Sequence, residues 1–358
     1  MADIKKAGGK APQTSASTIY DVSRLAGVST STVSRSFSRP DLISKATKEK
    51  VFAAAKSLNY RPSTFAGSLT TKRTFLIGLL TTDIQNPFVA ALARGVQDGA
   101  AEQRYLSIIC STDGDATREL DLLEEMLARG VDGFILTPPY DTPSLGSAEN
   151  LAALNSRGVP VVRIGRWKYV TDGTYVTSCT QEGEVDAVSH LISLGHRRIG
   201  FLGGYYSRGV GLGRWQGYQE ALEIHGLNLD MSLVTESETT RAGGYGAMQR
   251  LLALAEPPSA VVAINDLVAV GAMDASKERG LTVPADLSII GFDDIPVASF
   301  TTPPLTTVAQ RPYDIGHTAA ELILSKLKNP DTLAQMVRLS CQLVVRGTTA
   351  PPSKHDDK

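Results

Sequence analysis

Thr30, Ser31, Thr32, Ser34 and Arg35 place four hydroxyls and a guanidinium within six consecutive positions. Small hydroxyl side chains with an arginine one turn on supply the short, rotatable donors and acceptors that fit base edges in a DNA major groove. To present them, the residues must lie on one face of a short helix. The flanking sequence supplies that helix and a partner. Thr18 is a natural N-cap with Asp21 three residues later, and Ile19, Val22 and Leu25 repeat at helical spacing to give a first helix an apolar face. Gly27 stands where the chain must turn, in a backbone region open to glycine without steric cost. Ser29 can cap the second helix, whose Val33 and Phe37 face inward and leave Thr30, Ser31, Ser34 and Arg35 outward.

A third helix is expected from about Ser44 to Leu58, with Val51, Ala54, Ala55 and Leu58 inward and Lys45, Lys48, Lys50 and Lys56 supplying charge. Asn59-Tyr60-Arg61-Pro62 ends it, because the residue before a proline is pushed out of helical geometry. The polar stretch 63–73 is too short for a stable isolated helix. If it became helical against DNA, Ala66 and Leu69 would share a face, with Leu69 available as an apolar wedge in the minor groove. Residues 1–73 hold 13 Lys or Arg against 4 Asp or Glu, a net charge of +9, so the remainder carries −10 of the total of −1. A near-neutral chain thus conceals a basic head, drawn to phosphate in a salt-dependent way, on an acidic body.

The chain has 358 residues, of which 42% are hydrophobic, enough for more than one domain. No apolar run approaches the roughly 18 residues of a membrane span, and the N-terminus lacks a secretory apolar segment. Cys110, Cys179 and Cys341 are odd in number and scattered, which points to no disulfide framework. The cytoplasm is the expected compartment. Residues 1–17 and 350–358 are expected to be disordered. From Phe75 onward, apolar runs at 75–80, 106–109, 133–136, 159–162, 199–202, 260–264 and 287–290 alternate with helical patterns at 89–103, 118–129, 184–194 and 267–279. Such alternation makes parallel sheets covered on both faces, and the length allows two lobes with a ligand cleft at the strands' carboxyl ends.

In the head, the motif, the Asn59-Tyr-Arg-Pro62 junction and Leu69 resemble the lactose-repressor (LacI/GalR) family of bacterial transcription regulators. In the body the resemblance rests on Asp83-Ile-Gln-Asn-Pro-Phe88, Val131-Asp-Gly133, Leu194-Gly-His-Arg-Arg-Ile199, Arg214-x-x-Gly-Tyr218 and Ile264-Asn-Asp266. Gly291-Phe-Asp-Asp294, Pro303-Pro-Leu-Thr-Thr307 and Leu343-Val-Val-Arg-Gly-Thr348 complete the series. The resemblance implies a small all-α helix-turn-helix head on an α/β body, a two-lobed periplasmic-binding-protein-like fold with parallel sheets and three crossings. It implies a dimeric, effector-controlled, operator-binding regulator, a repressor in the leading reading. Thr30, Ser31 and Arg35 would read bases, with Thr32, Ser34, Tyr60, Arg61 and Ala66 also at the DNA and Leu69 prying open a central base step. The implied organisation is a helix-turn-helix domain at 18–62, a hinge at 63–74 and an effector-binding body at 75–349. Its N-lobe would span about 75–176 and 306–336, its C-lobe about 177–303 and 337–349.

For the effector, Arg214, Asn265 and Asp293 match family positions that hydrogen-bond it. Asp83, Asn86 and Phe88 after the first strand, Asp113 after the second, and Arg166 and Trp167 after the fourth are further candidates. Carboxylates, amides and arginines bond vicinal hydroxyls while an aromatic face stacks on a sugar ring, so a carbohydrate is expected. Alternatives stand beside this. Asp293 or Asp294 would cap a turn, Arg214 would bridge the lobes, and Arg208, where the purine-responsive branch has an arginine, would either favour a purine-like or anionic effector or be a solvated loop charge. The pattern breaks at Cys179-Thr180 and at Gly165, where many members have an acidic residue before an asparagine and an aspartate. The body alone would also suit a sugar-binding transport protein, but the basic head argues against it. An enzyme is not expected: Gly209-Val-Gly-Leu-Gly213 lacks a nucleotide-binding spacing, and no cofactor, metal site or catalytic residue is read. The five histidines show no zinc spacing, and His196 reads as a brace between helix and strand.

Overall fold

The computed structural model describes residues 17–61, 73–137, 145–165, 172–204 and 211–353, and the chain divides into two compact units, Met1–Thr74 and Phe75–Lys358. In the first unit, α1 (Ile19–Ala26), α2 (Thr30–Ser38) and α3 (Lys45–Ser57) close around Val22, Val33, Val51, Ala54 and Ala55. The Asp21 carboxylate accepts from both the backbone N–H and the hydroxyl of Thr18, at 2.9 and 2.7 Å. That double acceptance holds its pKa below the usual carboxylate value. Gly27 turns the chain at φ 65°, where an L side chain would be strained. Ser29 caps α2 by accepting from the N–H of Thr32 at 3.1 Å, and Ser44 does the same for α3 toward Thr47.

Two expectations for this unit change. Leu25 is 57% exposed and takes no part in the core, where Ala26 stands instead. Adjacent helical residues point about 100° apart, and the seam through Ile19 and Val22 continues at 26, not 25. Ser17, expected to be disordered, is tied down by donating its hydroxyl to the Leu58 carbonyl at 2.8 Å.

The second unit is built on two six-stranded sheets. The strands of the first are β1 (Leu76–Thr81), β2 (Leu106–Ser111), β3 (Gly133–Leu136), β4 (Val161–Ile164), β5 (Tyr175–Ser178) and β11 (Met336–Leu339), in the order β11-β5-β4-β3-β1-β2. All its pairings are parallel. The second has β6 (Ile199–Gly203), β7 (Val234–Glu236), β8 (Ala260–Ala263), β9 (Ser288–Asp293), β10 (Thr306–Ala309) and β12 (Gln342–Val344), in the order β12-β10-β9-β8-β6-β7. Only β12 runs antiparallel there. Covering helices are α4 (Pro87–Glu102), α5 (Ala116–Ala128), α6 (Leu145–Ser156) and α12 (Pro312–Lys328) on the first lobe. The second carries α7 (Thr180–Ser193), α8 (Gly211–Ile224), α9 (Arg241–Leu252) and α10 (Asp266–Glu278), plus the short α11 (Val297–Phe300). No described helix is long and apolar enough to cross a membrane.

The chain changes sheet three times, after β5, β10 and β11, which are the three crossings the family resemblance implies. The first and third touch, with the Cys179 N–H donating to the Leu339 carbonyl at 2.9 Å. The lobe limits shift accordingly. Residues 306–309 form β10 of the second sheet and not part of the N-lobe, because buried Thr306 and Thr307 are held there by Thr348 and Asp266. Residues 337–339 belong to β11 of the first sheet and not to the C-lobe. The start of the expected disordered tail is also packed: the Ala350 carbonyl accepts from the Ser288 hydroxyl at 3.1 Å and bonds the His196 ring at 2.9 Å. The same buried imidazole meets Ser259 at 2.9 Å, so His196 braces helix, strand and chain end together.

Candidate functional site

In the head, α2 separates its faces cleanly. Val33 and Ser36 are buried, the latter donating its hydroxyl back to the Thr32 carbonyl at 2.8 Å. Ser31, Ser34 and Arg35 are exposed, with Thr30 and Thr32 half-buried beside them. The hydroxyls of Ser31 and Thr32 lie 2.8 and 2.9 Å from the Ser29 capping oxygen, so the helix start carries a preset hydroxyl cluster. Exposed Arg39, Lys45, Lys50, Lys56 and Arg61 give the unit its positive surface. Tyr60, expected at the DNA, is half-buried and packs edge-on against Phe37 at 6.2 Å, and burial raises its phenol pKa. Its ring serves the core. Ala66 and Leu69 lie outside the described residues.

In the body, the expected effector residues fall at the carboxyl ends of parallel strands. Asp83 closes a turn after β1 by accepting from the Gln85 N–H at 2.8 Å. Asn86 caps α4 through the Phe88 N–H at 3.0 Å, and the Phe88 ring packs against the first-lobe core. Asp113, exposed at φ 53°, pairs with Arg118. Asn265 is buried and caps α10: its carbonyl accepts from the Val268 N–H at 2.8 Å and its amide donates to the Thr239 carbonyl at 3.0 Å. Arg166, Trp167 and Arg208 lie outside the described residues.

Two of the expected residues do meet. Arg214 of α8 donates to the Asp293 carboxylate at the end of β9, 2.9 Å apart with both side chains buried. The guanidinium also lies 4.1 Å from the Phe292 ring centroid. The pair lies within the second lobe, so Arg214 is not the bridge between lobes that was one alternative. Asp293 sits at φ 106°, a strained value for a side-chain-bearing residue. Burial pushes its pKa up to about 6 against the opposing pull of Arg214. Asp294 has a separate task, accepting from Arg346 at 2.6 Å. Beneath them Asp266, its pKa raised by burial and then by Asp293, accepts from the Ile295 N–H at 2.7 Å and from the Thr307 hydroxyl, and so fixes the loop after β9.

Residues 18–63 match the model of bacterial regulatory proteins of the lacI family, and residues 188–349 that of a periplasmic binding protein-like domain. The ribose operon repressor of Escherichia coli (strain K12) is 36% identical over 332 residues, 92% of this chain and 99% of the relative. The chain belongs to the LacI family. Among solved structures of similar fold, that of the lac repressor dimer bound to operator and the anti-inducer ONPF aligns with a TM-score of 0.85 at 28% identity, covering 94% of this chain and all of that one. A complex of the transcriptional regulator CelR with cellobiose aligns with a TM-score of 0.71 at 31% identity over 93% and 99% of the two chains.

Within this LacI-family body, one departure from the family pattern falls at a left-handed turn. Gly165 takes φ 73° after β4, in the left-handed region that glycine enters without steric cost. Sequence reasoning missed two residues at the site. Gln310, on the second crossing, donates to Asp293 at 2.6 Å. Glu184, on α7, is fully buried, and burial pushes its pKa up to about 8 although the charge of Arg214 pulls it down. The available signal was Glu184 on the inner stripe of α7, ahead of Ala187, Val188 and Leu191.

Proposed function

We propose that this LacI-family chain is a homodimeric repressor. Its α2 reads operator bases through Thr30, Ser31, Ser34 and Arg35, and a small carbohydrate held by Arg214 and Asp293 sets its operator affinity. The observation that carries the sugar reading is the buried Arg214–Asp293 pair at the carboxyl end of β9, joined by half-buried Gln310. A carboxylate there accepts from neighbouring hydroxyls, and a guanidinium and an amide donate to their oxygens, as a polyol requires. Asn265, Asp83, Asn86 and Asp113 are assigned to the same ligand as polar contacts, Phe88, Arg166 and Trp167 as its wall. A ribose operon repressor and a cellobiose-bound regulator among the similar proteins support a sugar, while the similarity to the repressors PurR and CytR keeps other metabolites in the test. The operator-bound lac repressor dimer supports the dimer and the DNA partner. The protein would act in the cytoplasm, on nucleoid DNA.

The effector changes DNA affinity only through different affinities for two states of the body. A coupling of about 1–3 kcal/mol corresponds to a roughly 5–150-fold change in operator binding. The test is selection of bound duplexes from a random pool by the full chain, alone and with D-ribose, cellobiose, other sugars and purines. Enrichment of a near-palindrome whose recovery changes with a sugar is expected. Enrichment that responds only to purines would move the effector class, and no enrichment at low or moderate salt would refute sequence-specific binding.

A further inference from the structure

Arg214 has two buried carboxylates in its field and bonds only one. Its Nη2 donates to Asp293, while its Nε has no hydrogen-bond partner among the described residues. Glu184 Oε1 is likewise buried and without a partner among them. Orphaned buried polar atoms are expensive and uncommon, and here the two orphans are a donor and an acceptor on packed helices. Glycines make that packing possible. A Cβ on Gly217 would lie 2.7 Å from the Glu184 Cβ, and one on Gly213 would collide with the Thr180 hydroxyl. Helix α8 therefore lies directly on α7, with Thr180 facing Gly213 and Glu184 facing Gly217, and Arg214 leaves α8 between those two contacts.

We propose that Glu184 is the second station of Arg214, so that the guanidinium passes from Asp293 to Glu184 when a ligand occupies Asp293. The effector step rests on the sugar reading above. With Asp293 bonded to Arg214 and Gln310 through the same oxygen, Glu184 keeps its proton. When hydroxyls of a ligand take the Asp293 carboxylate, Arg214 needs another acceptor, since a buried unpaired cation is strongly unfavourable. Glu184 releases its proton to solvent and accepts the Nε–H. Binding thus carries a proton out of the body. The groups in the field of Glu184 are Arg214 and Tyr218 of α8 and, beyond Arg214, Asp293 of β9 and Cys341 of the third crossing. On its own helix, Gln181 turns away to donate to Glu220 at 2.7 Å. Glu184 is a positioning residue, acting on the ligand through Arg214.

The test is the titration of the Glu184 side-chain carboxyl in full chain labelled with carboxyl-13C glutamate, the signal assigned by its loss in Glu184→Gln. Asp293→Asn frees Arg214, so the Glu184 midpoint is expected to fall by about one pH unit or more, a tenfold change in proton affinity. Arg214→Gln removes the cation and is expected to raise it. An unchanged midpoint in both variants would overturn the proposal, and the second variant decides if the first does not fold. Saturating D-ribose or cellobiose on the unsubstituted chain is expected to reproduce the fall seen in Asp293→Asn. If Asp293→Asn moves Glu184 and neither sugar does, Glu184 stands as the second station and the sugar reading fails.

Discussion

The head and the body solve recognition in opposite ways. In the head, the groups assigned to DNA are exposed, lie within six consecutive residues and are positioned by a local cap and a five-residue core. In the body, the decisive groups are buried and come from distant parts of the chain: Arg214 and Asp293 are 79 residues apart, and Glu184 lies on a third element. Exposed charge suits a polyanion met at the surface, where affinity follows salt. Buried charge suits a small neutral ligand, because hydrogen bonds to charged groups strengthen as water is excluded. The head therefore owes its stability to a small apolar core, whereas the body owes part of its stability to buried ionic pairing.

That contrast can be broken from either side. The largest effect is expected for Arg214→Ala, which leaves Asp293 buried without its cation and costs the body about 3–5 kcal/mol. Denaturant unfolding of the full chain should show the body's transition move down with the head's in place, and sugar binding should be lost. A body transition that does not move would mean the pair contributes nothing. Next is Val33→Ala, which opens a cavity in the head's core at a cost of about 2 kcal/mol. So small a core has little reserve, so operator binding should disappear while calorimetric sugar binding persists. Ser29→Ala removes the α2 cap at about 1 kcal/mol, and should weaken binding to all duplexes alike rather than change which sequence is preferred. A changed preference would place Ser29 among the base-reading residues.

The smallest effect is a difference in pH response. Asp293 and Glu184 hold protons above the ordinary carboxylate range, to about 6 and about 8. Their contribution to stability is complete below about pH 4 and is lost as pH rises through those values. Asp21 is the reverse, held low by Thr18; its contribution is present above about pH 4 and lost as pH falls below that. Raising pH from about 5 to about 9 should lower the body's unfolding midpoint and leave the head's in place. Glu184→Gln should flatten the body's slope, and an unaltered slope would remove Glu184 from this account.

The same contrast explains what was legible in the sequence. The head was readable because its signals are local: a cap, a glycine turn and an apolar stripe, with Leu25 misplaced by one residue of drift along a short helix. The long apolar strands of the body were readable as well. Strand β10 was not, because its Thr306 and Thr307 are polar by type and become core residues only through Thr348 and Asp266. Asp293 and Arg214 were found through the family resemblance, but their pairing within one lobe was not. Gln310 and Glu184 escaped notice because a single glutamine on a crossing or a glutamate in a helix looks like ordinary surface until the fold buries it.

The most direct test of the central claim is operator affinity, read by fluorescence anisotropy on the selected near-palindrome, titrated with the sugar that altered its recovery. The chain should change its affinity at least about fivefold. Asp293→Asn should show no response of its duplex affinity to the sugar. An equal response in Asp293→Asn, or none in the unsubstituted chain across the whole panel of sugars, would contradict control through the buried Arg214–Asp293 site.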